Sequence, residues 1–428
     1  MPNDEYFLNL LKKEMVLARG CTEPAAVAIA AATAAKRVKG PVEAIEVLAS
    51  TNILKNAMSV IIPGTGGCGV PLAAALGAVL RDKKCDLEIL NDLSAEDLAK
   101  ANAMVEKGIV TVGRAATEEP LYILATVRSG ENCAKAEIRQ YHTNITKIEV
   151  DGKVILEKGV AETADEQGLD LNLQSIWDFI RTVPTDKLSL LREGAVVNKA
   201  ISDEGLKSDY GLMVGRTLMT EMDDGLIEKN VANYAMAVTS AAADARMSGC
   251  SLSVMSNSGS GNQGIAVTMP VVAFWEKSGL PEEKLLRALA LSNLVAIYIK
   301  SKSGRLSALC GATIAGTGAS CGITYLMGGE LEEIIFAVQN MIGNVTGMLC
   351  DGAKVGCALK VSTCTNAAMQ SAMLAMRHVC IRSTDGIIED DVERTIDNFC
   401  SISHEETQKI DRLILSIMLK KANKKAEA

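Results

Sequence analysis

The apolar pattern of this chain changes period once, and that change limits the fold more than any single motif. Between residues 40 and 160, segments such as VEAIEVLAS, LYILATVRSG and CAKAEIRQYHTNITKIEVDGKVILEKG alternate apolar and polar residues between glycine-containing turns, as half-buried antiparallel strands do. From about residue 170, LNLQSIWDFIRTV, VVNKAISDEGLK, PEEKLLRALALSNLVAIYIKSKSG, LEEIIFAVQNMIGNV and TNAAMQSAMLAMRHV repeat their apolar residues at helical spacing. The expected class is α+β. An N-terminal α+β domain with antiparallel strands and N-terminal helices spans 1–170, and a mostly helical domain with glycine-rich loops spans 171–428. The boundary is expected near 165–175, in ETADEQGLD.

Composition says how such elements must pack. Hydrophobic residues make up 48 % of the 428 but aromatics only 3 %, so the core is built from Ala, Val, Leu, Ile and Met, which favours closely packed helices. Residues 3–19 are predicted to form one helix. A second opens at GCTEPAAVAIAAATAAKRV, with Thr22 as its cap and Pro24 in its first turn. Cys21 then sits at a helix N-terminus, where unpaired N–H groups favour a thiolate. PLAAALGAVLRD reads as a helix, LEILNDL as a strand, and SAEDLAKANAMVEKG as a helix capped by Ser94.

Several classes of function are disfavoured. The longest apolar run, Pro24 to Ala35, falls short of the roughly 18 residues a membrane span needs, and MPNDEYF lacks the basic and apolar regions of a signal peptide. A net charge of −8, with basic residues scattered except in the KKANKK tail, argues against a nucleic-acid surface. The expectation is a cytoplasmic protein acting on a small molecule, with no nucleic-acid or membrane partner, and compatible with a homodimer. Twelve cysteines in a reducing compartment are not a disulfide framework.

Four groups of residues could carry chemistry. Ser256 to Pro270 (SNSGSGNQGIAVTMP) reads as a glycine-rich loop whose N–H groups suit a carboxylate or phosphate, although a turn without ligand explains it equally. Asn52, Lys55 and Asn56 form a polar cluster that either holds a carboxylate or is a solvated loop. His142, in QYHTNIT, is the histidine best placed to be a site residue. Cys310, Cys350 and Cys357, with Gly311 and Gly356 beside two of them, suit an iron-sulfur cluster held by three thiolates, while buried structural cysteines remain the alternative. The close two-residue spacing of structural zinc sites is absent.

Taken together, GCTEPAA (20–26), TNILKNAMSVIIPGT (51–65), SGSGNQGI (258–265) and GMLCDGAKVGCALK (347–360) resemble the L-cysteine desulfidase family, related to the iron-sulfur-dependent L-serine dehydratases. The resemblance covers essentially the whole chain. It implies β-elimination of L-cysteine to pyruvate, ammonia and sulfide, using a 4Fe-4S cluster whose open iron binds the substrate sulfur. It implies Cys310 and Cys350 as ligands, with Cys357 favoured over Cys364 as the third. Ser258, Ser260, Gly261 and Asn262, with Asn52 and Asn56, would hold the substrate carboxylate. Cys21, His142 or Lys55 would be the base, and Cys21 is alternatively a fourth ligand. L-serine dehydration on the same scaffold is the nearest rival; a non-catalytic amino-acid sensor is the alternative of another class.

Overall fold

The computed structural model describes residues 3–159, 171–304, 306–405 and 407–426. Most of the expected domain boundary falls in 160–170, outside the described residues. Helix α1 (Asp4–Glu14) starts at Asn3, whose side chain accepts the Tyr6 N–H at 2.9 Å, and carries Asp4 and Glu5 in its first turn, where acids suit the positive end. It ends five residues before the predicted residue 19, because β1 (Leu17–Ala18) pairs antiparallel with Met255 and Val254. Next comes α2 (Thr22–Ala35), buried on every side and mostly alanine.

The sheet comprises β2 (Ala44–Ala49), β3 (Val110–Arg114), β4 (Tyr122–Ser129), β5 (Asn132–Arg139), β6 (Ile145–Val150) and β7 (Lys153–Glu157) in the order β3-β2-β4-β5-β6-β7. The antiparallel strands are as expected. The exception is β3, which runs parallel to β2 at the sheet edge, reached through α3 (Thr51–Ala57), α4 (Val70–Val79) and α5 (Ala95–Glu106). Ile45, Val47, Ile123, Ala125, Val127, Ala134, Ala136 and Ile138 form the buried face, and α2 packs over it. Helices α2 and α4 meet backbone to backbone: a Cβ on Gly77 would lie 2.2 Å from the Ala28 carbonyl oxygen. LEILNDL, expected as a strand, is a pair of tight turns, with Ile89 N–H bonded to Asp86 O and Asn91 N–H to Glu88 O, that sink Ile89 and Leu90 into the core.

The remainder is helical: α6 (Leu173–Thr182), α7 (Ser189–Lys207), α8 (Val214–Asp223), α9 (Val231–Met247), the short strand β8 (Val254–Met255), α10 (Gly261–Ser278), α11 (Glu282–Ser303), α12 (Gly311–Leu326), α13 (Leu331–Val345), α14 (Cys357–Ala375), α15 (Val392–Glu405) and α16 (Thr407–Ala426). The stretch expected as a glycine-rich loop, Ser256–Pro270, is mostly helix, and a second glycine-rich stretch is helical throughout. The segment from Ser256 is loop only to Ser260, and GATIAGTGASCGITYL is the buried central helix α12, packed among α10, α11, α13 and α14. Its glycines permit that crowding, since a Cβ on Gly318 would meet the Ser292 carbonyl oxygen at 2.3 Å.

The two ends of the chain cross over. Phe7 of α1 stacks on Phe179 of α6 with ring centroids 4.6 Å apart, inside the helical core. In return α16 packs on α3, and its Leu415 joins the core of the sheet unit. No helix among the described residues is long and apolar enough to cross a membrane.

Candidate active site

Three cysteines are brought together by a crossing of two loops. Leu309 and Leu349 form an isolated antiparallel bridge, flanked by Cys310 N–H to Met348 O at 2.9 Å and Cys350 N–H to Ala308 O at 2.7 Å. Cys310 is the N-cap of α12. Cys350 leads into a turn at Gly352, whose φ of +95° and approach to Lys55 (a Cβ would lie 2.4 Å from its carbonyl oxygen) both require glycine. The turn delivers Cys357 as the first residue of α14, its Sγ 3.8 Å from the Gly352 carbonyl oxygen. Cys364, two turns further along α14, is fully buried with its Sγ 3.7 Å from Met348 Sδ.

The thiols sense one another. Burial, and then the neighbouring Cys350, push Cys310 up to about 12, with Lys360 opposing. Burial also raises Cys357, and Cys350 adds to it against Lys354 and Lys360. Cys310 and Cys357 are half-buried thiols that burial and their neighbours push up, and thiolate sulfur is the donor that iron-sulfur clusters use. Among the described residues, the one group of three or more His, Cys, Asp or Glu whose ligand atoms all lie within 4.8 Å of one another is Glu332, Glu333 and His378 on the surface. Cys310, Cys350 and Cys357 do not form such a group, so at least one pair of their sulfurs is wider apart than a single tetrahedral ion requires, about 3.8 Å at the usual Zn–S length. Three thiol donors not drawn in around one ion fit, by their chemistry, the ligand set of a polynuclear iron-sulfur cluster.

A second wall faces them. Cys21 is the N-cap of α2, one residue earlier than the expected cap Thr22, and its Sγ donates to Glu23 Oε2 at 3.2 Å. Thr22 Oγ1 donates to the same oxygen at 3.1 Å and Asn56 Nδ2 to Glu23 Oε1 at 2.9 Å. Burial works to raise Glu23, but nearby His142 and the hydrogen bonds from Cys21 and Asn56 outweigh it and hold the carboxyl below its ordinary value. Cys21 is driven the other way, chiefly by burial and by the Glu23 charge, against the pull of Arg246; Cys357 also adds to the rise. Beside Glu23, the Cys21 side chain is thus a hydrogen-bonding thiol rather than the thiolate expected from its helix end alone.

The glycine-rich loop closes the third side. Ser256 and Ser258 N–H bond to Val16 O and Glu14 O, each at 2.9 Å, and tie the loop to the first helix and strand. Ser258, at φ +51°, donates to Asn257 Oδ1. Ser260 is the N-cap of α10, accepting the Gln263 N–H. Thr22 Oγ1 reaches Gly259 O at 3.4 Å, Arg246 joins Asn262 Oδ1 (3.1 Å) to Gly20 O (2.7 Å), and a Cβ on Gly311 would lie 3.1 Å from Gln263 Oε1. Cys21, Ser260, Cys310 and Cys357 therefore bring four helix N-termini to one place.

The polar cluster on α3 divides. Asn56 faces Glu23, whereas Lys55 pairs with Asp411 of α16 at 2.5 Å and donates to the Cys350 carbonyl at 3.0 Å. Asn52 donates to the other Asp411 oxygen at 2.7 Å. Glu23, Arg246 and Asp411 were missed as site residues. Glu23 stood inside the quoted GCTEPAA, but an acid in a helix's first turn reads as ordinary dipole chemistry, and nothing local marks the other two.

Residues 84–416 match the family model described as serine dehydratase alpha chain. That span contains Cys310, Cys350, Cys357 and the 256–262 loop, and leaves out Cys21, Glu23, Lys55 and Asn56. The chain is also similar to UPF0597 proteins of Phocaeicola vulgatus, 44 % identical over 98 % of both chains, and Bacteroides thetaiotaomicron, 45 % over 97 % of both. A UPF0597 protein of Clostridium perfringens is 44 % identical over 97 % of this chain and 98 % of its own.

Proposed function

Because the chain belongs to the serine dehydratase alpha chain family, we propose that it is a lyase that eliminates sulfide from L-cysteine, leaving pyruvate and ammonia. The observation that carries this reading is the facing of Cys310, Cys350 and Cys357 by a wall that itself bears a cysteine, Cys21. Cys310, Cys350 and Cys357 would hold a 4Fe-4S cluster, which would supply a Lewis acid with affinity for a soft sulfur leaving group. Cys357 is favoured over Cys364 as the third ligand because it lies at the open end of α14, where it acts on Cys21 and is acted on by Cys350, whereas Cys364 is fully buried against Met348.

The chain's own residues do the rest. The α10 N-terminus, with Ser258, Ser260, Gly261 and Asn262, orients the substrate carboxylate, as helix ends do for anions. Asn56 fixes Glu23. His142, beside Glu23, takes the proton on Cα and the Glu23 carboxylate steadies the imidazolium that results; Cys21 is the alternative base, acting as a thiolate. The Cα–H electron pair forms the Cα=Cβ bond while the Cβ–S pair leaves on sulfur, and the resulting aminoacrylate hydrolyses to pyruvate and ammonia. Lys55 and Asn52 act by position: with Asp411 they hold the Cys350 carbonyl and so the ligand loop.

The test is product release by anaerobically purified protein given L-cysteine or L-serine, with iron measured on the same sample. Equal sulfide and pyruvate from cysteine support the reading. Pyruvate from serine alone moves the chain to the second reading, L-serine dehydration, which the family match favours. Iron-loaded protein that releases neither product refutes both.

A further inference from the structure

A substrate carboxylate buried among these groups needs a cation, and the cations around the site are nearly all committed. Lys55 is paired with Asp411, Lys354 and Lys360 with Asp351, and Arg19 with Asp92. Arg246 differs. It is 5 % exposed, pairs with no acid among the described residues, and its Nε has no hydrogen-bond partner. Its other nitrogens reach only neutral acceptors, Gly20 O and Asn262 Oδ1. Its place in the last turn of α9 compensates part of the charge, but a helix end offers about half a charge at most. A buried guanidinium left otherwise unpaired is costly, which calls for a reason to keep it.

Its position supplies that reason. The guanidinium lies against the first residue of α10, where a Cβ on Gly261 would come within 2.3 Å of Nε and 2.6 Å of Cζ. Glycine at 261 is thus required for the cation to reach the N–H groups of that helix end. The same cation acts on Cys21 across the site. A planar fork of donors beside a helix N-terminus matches a carboxylate in both charge and shape.

Resting on the amino-acid lyase reading, we propose that Arg246 is the anion receptor of the site, binding the substrate α-carboxylate between its guanidinium and the α10 N-terminus. It is the residue that restricts the site to ligands with a free carboxylate. Charge-assisted hydrogen bonds of this kind are worth on the order of a tenfold to hundredfold in affinity.

The experiment compares inhibition and binding constants of two thiol probes on anaerobically reconstituted protein: 3-mercaptopropionate, which has the carboxylate and no amine, and 2-aminoethanethiol, which has the amine and no carboxylate. Arg246→Gln is expected to weaken 3-mercaptopropionate about tenfold to hundredfold and leave 2-aminoethanethiol within about twofold, with iron content unchanged; Arg246→Lys should fall between. Gly261→Ala, which displaces the guanidinium while keeping its charge, should show the same selective loss and covers the case in which Arg246→Gln does not fold. Equal weakening of both probes, or of neither, overturns the proposal. The two readings separate cleanly. Protein that eliminates from cysteine or serine with Arg246-independent probe binding keeps the lyase and loses the receptor. Protein that turns over neither amino acid yet binds 3-mercaptopropionate through Arg246 does the reverse.

Discussion

Replacing Lys55 by Met should destabilise the protein by about 3–5 kcal/mol, the usual cost of removing one partner from a buried ion pair. The pair is well inside the range where that cost applies: Lys55 Nζ and Asp411 Oδ1 are 2.5 Å apart with side chains 1 % and 3 % exposed. Methionine nearly matches the lysine stem in volume, so a cavity contributes little. What is lost is the counter-charge of Asp411, which keeps only the Asn52 hydrogen bond, and the donor to the Cys350 carbonyl, worth about 1 kcal/mol. Combining Lys55→Met with Asp411→Asn removes the stranded charge and should recover about 2–3 kcal/mol of the loss, so that the double variant is more stable than Lys55→Met alone. Urea unfolding followed by far-ultraviolet circular dichroism and by fluorescence reads this. Both tryptophans, Trp177 and Trp275, lie in the helical part, so fluorescence follows that part while dichroism follows the whole chain. Losses of under about 1 kcal/mol for Lys55→Met, or strict additivity in the double variant, would refute the claim that the pair ties α3 to α16.

Three further outcomes follow from the geometry. Burial pushes the Asp244 carboxyl up to about 6 against the N–H groups of Gly215, Leu212 and Val214; because the folded state then binds the extra proton, stability should rise by about 1 kcal/mol on going from pH 7 to pH 5, and Asp244→Asn should flatten that part of the pH profile in thermal melts. Gly77→Ala drives a methyl to 2.2 Å from the Ala28 carbonyl oxygen and should cost about 1–3 kcal/mol of unfolding free energy, read by denaturant titration, with α2 forced away from α4. Cys357→Ala should lower the iron and sulfide content after anaerobic reconstitution while Cys364→Ala retains it; the opposite pattern would make Cys364 the third ligand.

What could be read from the chain alone divides by the range of the interaction. Alternation in 122–157 was visible because each strand's buried face is written in its own residues, Ile123, Ala125 and Val127 on one and Ala134, Ala136 and Ile138 on the next. The edge strand Val110–Arg114 was not: its β-branched Val110, Thr111 and Val112 favour a strand, but none of its five residues is buried, so it shows no buried face in its own pattern. Helix α12 was hidden for the opposite reason: glycine weakens an isolated helix, yet here close packing against Ser292 and Cys364 demands it, and tertiary contact overrides propensity. At the site, Cys310, Cys350 and the 258–262 loop stood out through local glycine patterns. Arg246 and Asp411 did not, because what defines them lies elsewhere: Gly20 is 226 residues from Arg246, and Lys55 is 356 from Asp411.

Those long-range ties also explain why the chain ends cross over. The site is walled by α2 and α3 from the sheet unit and by α10, α12 and α14 from the helical unit, so any relative slip of the two would part Cys21 from Cys357. Pairing β1 with β8, seating Phe7 on Phe179 and docking α16 on α3 fasten each unit with a segment of the other. Small residues then let the helix ends approach: alanine through α2, and glycine at 261, 311 and 352, where any larger side chain would meet Arg246, Gln263 or Lys55. Four positive helix ends close together would repel one another if they had nothing to hold. On the proposed lyase reading, thiolates and a substrate carboxylate supply the negative charge that such a convergence calls for.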